Sequence, residues 1–191
     1  MTDEPTLESL VPARGRVPLS EVLRRLSEPL DARPYSDEIV GRCAELAQRL
    51  ARSARGNAEQ QALAFWMRRS ELLRLRDAYH RLAADEVVLV PRGVVFHLPP
   101  ANVDTIFVYS WLLSVLAGNR NVIRLSERRG ESAEAILANL NQILDEAAAA
   151  GADLHTTVIS YGHDERITAA ISALADMRVV WGGDDTVRAV R

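Results

Sequence analysis

Apolar residues change their rhythm along this chain near Val87. Before that point they recur three and four positions apart. Val22, Leu23, Leu26 and Leu30 form one stripe, and Ile39, Val40, Cys43, Leu46, Ala47 and Leu50 form another. That spacing gathers side chains on one face of a 3.6-residue turn, so it predicts amphipathic helices. Ser20 stands where an N-cap is wanted, Pro34 and Ser36 restart the chain into the second helix, and Gly56-Asn57 interrupts the pattern before a third helix expected over 58–83. Residues 1–17 are polar with scattered Pro and Gly and carry no strand signal; they read as an extended or mobile lead-in to a helical segment over 18–84.

Beyond Val87 short apolar runs alternate with helical patterns. Strands are predicted at 94–98, 122–125, 156–160 and 178–181, with helices over 103–117, 131–150 and 164–175. Gly118 and Gly151 sit just past two of these helices, where a left-handed residue is wanted. The alternation predicts an α/β fold, with a Rossmann-like, mostly parallel sheet and right-handed crossovers over 86–191. Ligands of such sheets bind in the loops beyond the carboxyl ends of the strands. After Trp181 only Gly182-Gly183-Asp184-Asp185 and six further residues remain, too few for a stable helix. The domain is therefore expected to be incomplete, a fragment or a natural truncation, and its open sheet edge would favour homo-oligomers.

A length of 191 residues suits one domain with a helical extension. A net charge of −3 argues against general nucleic-acid binding. All 23 basic residues are Arg, which excludes lysine chemistry and hints at a GC-rich bacterial source. No apolar run approaches the ~18 residues of a membrane span, and MTDEPTLESL lacks the basic and apolar regions of a signal peptide. With a single cysteine, these features point to the cytoplasm. Cys43 shares the apolar stripe of Ile39 and Leu46 and reads as a buried structural thiol. His80, His97, His155 and His163 show no metal spacing, and His97 reads as a satisfied core or loop histidine. The arginines of 68–81 are interrupted by Glu71 and Asp77 and read as a solvated helix surface.

Three stretches carry a resemblance: PRGVVFHLPPAN (91–102), LLSVLAGNRNVIRLSE (112–127) and RVVWGGDDTVRAV (178–190). In this order they resemble the LuxC-type acyl-CoA reductases of the aldehyde dehydrogenase superfamily. The resemblance implies reduction of long-chain acyl-CoA or acyl-carrier thioesters to aldehydes with NADPH, NADH being the other possible donor. It also implies an acyl-thioester on a cysteine downstream of the Gly-Gly turn, so that this chain alone would be inactive. By the same resemblance Asn102 helps to stabilise the oxyanion, with Pro99 and Pro100 beside it on the cofactor side. Arg124, Ser126 and Glu127 meet the adenosine ribose, Gly162 lies in a cofactor-side loop, and Gly182 and Gly183 turn beneath the pyrophosphate.

The residues themselves leave blander readings open. Asn102 would serve equally as an N-cap of the following helix. The loop 124–129 could be a solvated charged turn; its three arginines against one glutamate lean towards the 2′-phosphate of NADP. Asp184 and Asp185 suit the start of a next helix. The rival to a reductase is a non-catalytic nucleotide-binding or protein-interaction module ending at Arg191.

Overall fold

A computed structural model describes residues 4–54, 56–83, 88–150 and 153–182. Among these residues six strands form one sheet: β1 (Thr6–Val11), β2 (Ala13–Pro18), β3 (Val94–Leu98), β4 (Arg120–Leu125), β5 (Thr156–Ser160) and β6 (Met177–Val180). Their order across the sheet is β2-β1-β5-β4-β3-β6. The four strands β5-β4-β3-β6 are parallel, with Val94 opposite Arg120, Asn121 opposite Thr156 and Val95 opposite Met177. The fold is thus the α/β, Rossmann-like arrangement expected.

Seven helices among the described residues accompany the sheet: α1 (Leu19–Leu26), α2 (Asp37–Ser53), α3 (Ala58–Trp66), α4 (Arg69–Ala83), α5 (Ile106–Leu116), α6 (Glu131–Ala149) and α7 (Glu165–Leu174). One core layer joins α2, α5 and α6 to the sheet through Leu50, Trp111, Leu140, Ile123 and Val158. The opposite layer joins α1 and α7 to Phe96, Val122 and Ile159. Burial of these apolar faces is the main stabilising contribution. Inside, the Trp111 indole N–H donates to Thr156 Oγ1 at 2.9 Å. Arg120, 5% exposed, donates to the carbonyls of Arg25 in the last turn of α1 and of Glu28 and Pro29 just beyond it. A cation is well placed there, where carbonyls at a helix C-terminus collect partial negative charge. Among the described residues no helix is long and apolar enough to cross a membrane.

The lead-in expected over 1–17 is corrected. Residues 6–18 form an antiparallel hairpin whose first strand adds, antiparallel, to the edge of β5, with Glu8 opposite Ser160. A register shift between Ser9 and Leu10 explains the missing signal. Leu7 belongs to the α1/α7 layer and Val11 to the other, so the apolar residues do not keep a simple two-residue alternation. The helix expected over 58–83 is two helices, because the chain turns at Met67, a fully buried residue. Gly118 takes the left-handed conformation predicted for it, at φ +79°, whereas Gly151 lies outside the described residues.

Candidate functional site

The parallel strands end at Leu98, Leu125, Ser160 and Val180. The chain lays β4 and β5 to one side of β3 and then returns to place β6 on its other side. The order therefore reverses beside β3, the place where ligands of open parallel sheets commonly bind. Asn102 lies in the loop leaving β3 and Gly182 in the one leaving β6; both are exposed. Gly183, Asp184 and Asp185 lie outside the described residues.

Asn102 is not the cap of α5, and that reading is corrected. The loop stays in a turn until Thr105, the N-cap residue, whose hydroxyl makes no cap bond and instead donates to Glu59 Oε1 at 2.5 Å. Asp104 is likewise occupied, accepting the Gly130 N–H at 3.2 Å just ahead of α6. The loop is thus held by its neighbours on α3 and α6, while the Asn102 amide makes no hydrogen bond to a described residue.

The residues expected on the cofactor side divide between two clefts. Pro99, Pro100 and Ser126 line a crevice with Phe107 and Arg128. Its volume, about 20 Å³, is room for one water. Glu127 and Gly162 line a separate open groove of about 350 Å³, bounded on its far side by Thr6 and Arg16 of the hairpin. A groove of that size can take a small-molecule group. The Glu127 carboxylate lies close to Gly162, 3.7 Å from where a Cβ would stand.

Arg124 joins the ends of β4 and β5. Its Nη2 donates to the carbonyls of Tyr161 (3.2 Å) and Gly162 (3.4 Å). The guanidinium also lies 4.9 Å from the Tyr161 ring centroid, within reach of a cation–π contact. Its Nε is buried and has no partner among the described residues, which is uncommon for a buried donor. Burial pushes the Tyr161 phenol above its ordinary pKa; its hydroxyl pairs with Thr168 at 3.0 Å. Arg129, whose side chain is 13% exposed, donates to the Ser126 carbonyl and Glu134 and stands 3.7 Å from Glu8. It fastens the loop and is not free for a ligand. Arg128, by contrast, is exposed.

Asp164 caps α7, accepting the Arg166 N–H at 2.9 Å, and the Arg166 guanidinium beside it holds its carboxyl below the usual range. Cys43 is 1% exposed, and burial pushes its thiol up to about 12. A nucleophilic cysteine needs an accessible thiolate at working pH, so Cys43 is structural. His97 is fully buried between Ser110 and Asn121. Among the described residues no cluster of His, Cys, Asp and Glu could hold a metal ion.

The sequence reading missed the hairpin as a wall of the groove, and Glu59 and Asp104 as supports of the Asn102 loop. Only the local alternation around Leu7 could have hinted at the first. The others depend on tertiary contacts.

A comparison with curated proteins finds no match. The family model described as acyl-CoA reductase (LuxC) matches residues 38–191, from the start of α2 through every loop at the carboxyl end of the parallel strands. The match spans most of the chain, and the chain belongs to the LuxC family of acyl-CoA reductases.

Proposed function

We propose that this chain holds a nicotinamide dinucleotide across the carboxyl ends of its parallel strands and presents it to an acyl thioester. The observation that carries the reading is the convergence of Arg124, Glu127 and Gly162 at the carboxyl ends of the adjacent parallel strands β4 and β5. An acid at the end of a strand can accept a ribose hydroxyl, which Glu127 is positioned to do. Arg124 holds the Tyr161–Gly162 turn through its two carbonyl bonds, and the exposed Arg128 offers donors to phosphate or sugar oxygens. A bound reduced nicotinamide would supply hydride to the acyl carbon. Asn102 donates its side-chain N–H to the carbonyl oxygen as negative charge grows there, a contact worth about 2.7–4 kcal/mol. Pro99 and Pro100 flank it in the same loop. The acyl-bearing thiol comes from outside these 191 residues, because the single cysteine is buried. NADPH is the preferred donor in this reading.

The test is a titration with NADPH and NADH followed by reduced-nicotinamide fluorescence, with Arg124→Ala as the comparison. Saturable binding, weakened at least tenfold in a variant that keeps its circular dichroism spectrum, is expected. Absence of binding to either nucleotide by the unaltered chain would sink the proposal. The burial of Cys43 also favours a second reading, a nucleotide-binding module that performs no chemistry. That reading requires nucleotide binding to persist while no acyl thioester is reduced even when the chain is joined to a cysteine-bearing segment.

A further inference from the structure

The groove of about 350 Å³ has one wall that the family match does not include. The match begins at residue 38, whereas Thr6, Glu8, Gly15 and Arg16 come from the hairpin. This wall faces the groove residues Glu127 and Gly162, which already serve the proposed ribose site. Arg16 is exposed, and among the described residues its guanidinium makes one hydrogen bond, a neutral one from Nη2 to Thr6 Oγ1 at 3.1 Å. Glu8, directly opposite it in the hairpin register, does not neutralise it, because that carboxylate lies instead 3.7 Å from Arg129. Among the other acids of the groove, Asp164 is paired with Arg166 at 2.7 Å. Arg16 is thus a cation without an acidic partner among the described residues, in a groove that also holds Glu127. At the floor, Ser160 is 2% exposed and its hydroxyl has no partner among the described residues.

We infer that the N-terminal hairpin completes the nucleotide site and that Arg16 binds a phosphate carried on the adenosine ribose, which selects NADPH over NADH. The inference rests on the dinucleotide reading given above. A guanidinium binds phosphate through paired, charge-assisted hydrogen bonds. Glu127 accepts the neighbouring ribose hydroxyl, so one sugar engages both walls of the groove. This assigns the 2′-phosphate to a residue remote in sequence from the arginines at and after the end of β4. Of those, Arg124 is tied to two carbonyls and Arg129 to Ser126, Glu134 and Glu8.

The test compares the unaltered chain with Arg16→Ala and Arg16→Lys, titrating NADPH, NADH and adenosine 2′,5′-bisphosphate. Arg16→Ala is expected to weaken NADPH and the bisphosphate about 10- to 100-fold, as loss of a charged hydrogen-bond partner does, and to leave NADH within about twofold. Arg16→Lys should recover part of the loss, since it keeps the charge without the fork. Equal effects on NADPH and NADH, or no effect on either, would overturn the inference. If Arg124→Ala still weakened both nucleotides in that case, the dinucleotide site would stand without the hairpin. No binding of any nucleotide to the unaltered chain would remove both.

Discussion

Lowering the pH should destabilise this fold through one residue, His97. The ring lies on β3 under α5, fully buried. The Asn121 amide is oriented by its own bond to the Asn119 carbonyl at 2.9 Å, so its Oδ1 faces His97 Nε2 at 3.0 Å and accepts from it. In the neutral ring Nδ1 then accepts from Ser110, 3.1 Å away. A protonated ring could also be satisfied, because the Ser110 hydroxyl can instead donate to the Phe107 carbonyl at 3.2 Å. Hydrogen bonding therefore does not forbid the cation; removal of charge from water does. Burial lowers the His97 pKa from 6.5 to about 4.

The sign follows from that depression. The folded state favours the neutral ring, so its stabilisation is fully present above about pH 6.5 and falls as pH drops towards 4. A shift of about 2.5 units at about 1.36 kcal/mol each amounts to roughly 3 kcal/mol, of which about 2 kcal/mol is lost by pH 5. Urea unfolding at pH 7.5 and pH 5.0 would measure it, comparing the unaltered chain with His97→Gln. Any constant cost of the substitution cancels in the pH difference. The carboxylates Asp153 and Glu45 have lowered pKa values in both proteins, so their losses at acid pH cancel too. The unaltered chain should lose about 2 kcal/mol more than the variant, or about 1 M in urea midpoint at an ordinary denaturant slope. Equal losses would show that His97 is not held neutral by burial.

Three further outcomes follow from individual contacts. Gly93→Ala should destabilise the fold by about 1–3 kcal/mol in thermal or urea unfolding, since Gly93 sits at φ +115° and an added Cβ would meet the Asp176 carboxylate that accepts the Val94 N–H. Arg120→Met should cost about 2–4 kcal/mol by the same measurement, because three carbonyls lose a buried charged donor. Cys43 should react with a thiol reagent at pH 8 only at the rate of global opening, so labelling that is complete within minutes in native buffer would contradict its burial.

The sequence was legible where local chemistry decides the structure. Ser36 caps α2 by accepting the Ile39 N–H at 3.3 Å, and Asn57 caps α3 by accepting that of Gln60. The parallel strands announce themselves because they are covered on both faces, so β3 and β5 are continuous buried runs. Where a distant partner decides, the sequence misleads. Ser20 is no cap, since α1 begins at Leu19 and the Ser20 N–H donates to Glu4 from before β1. Asn102 is no cap because Glu59, on α3, claims the Thr105 hydroxyl and Asp104 reaches to Gly130.

The candidate site follows the same division. That Arg124, Glu127, Gly162 and Gly182 share one end of the sheet was implied by strand–helix alternation alone, because parallel strands must all end on the same side. That Ser126 and Glu127, adjacent in sequence, line different clefts was not. Their separation depends on the hairpin beside β5, where Glu8 pairs with Ser160 across some 150 positions of chain. Topology gathers the residues of the site, and a contact of that range shapes the space between them. The hairpin therefore has to be kept in any variant used to measure nucleotide binding, because its removal would take away Thr6 and Arg16 and, with Glu8, one of the groups holding Arg129.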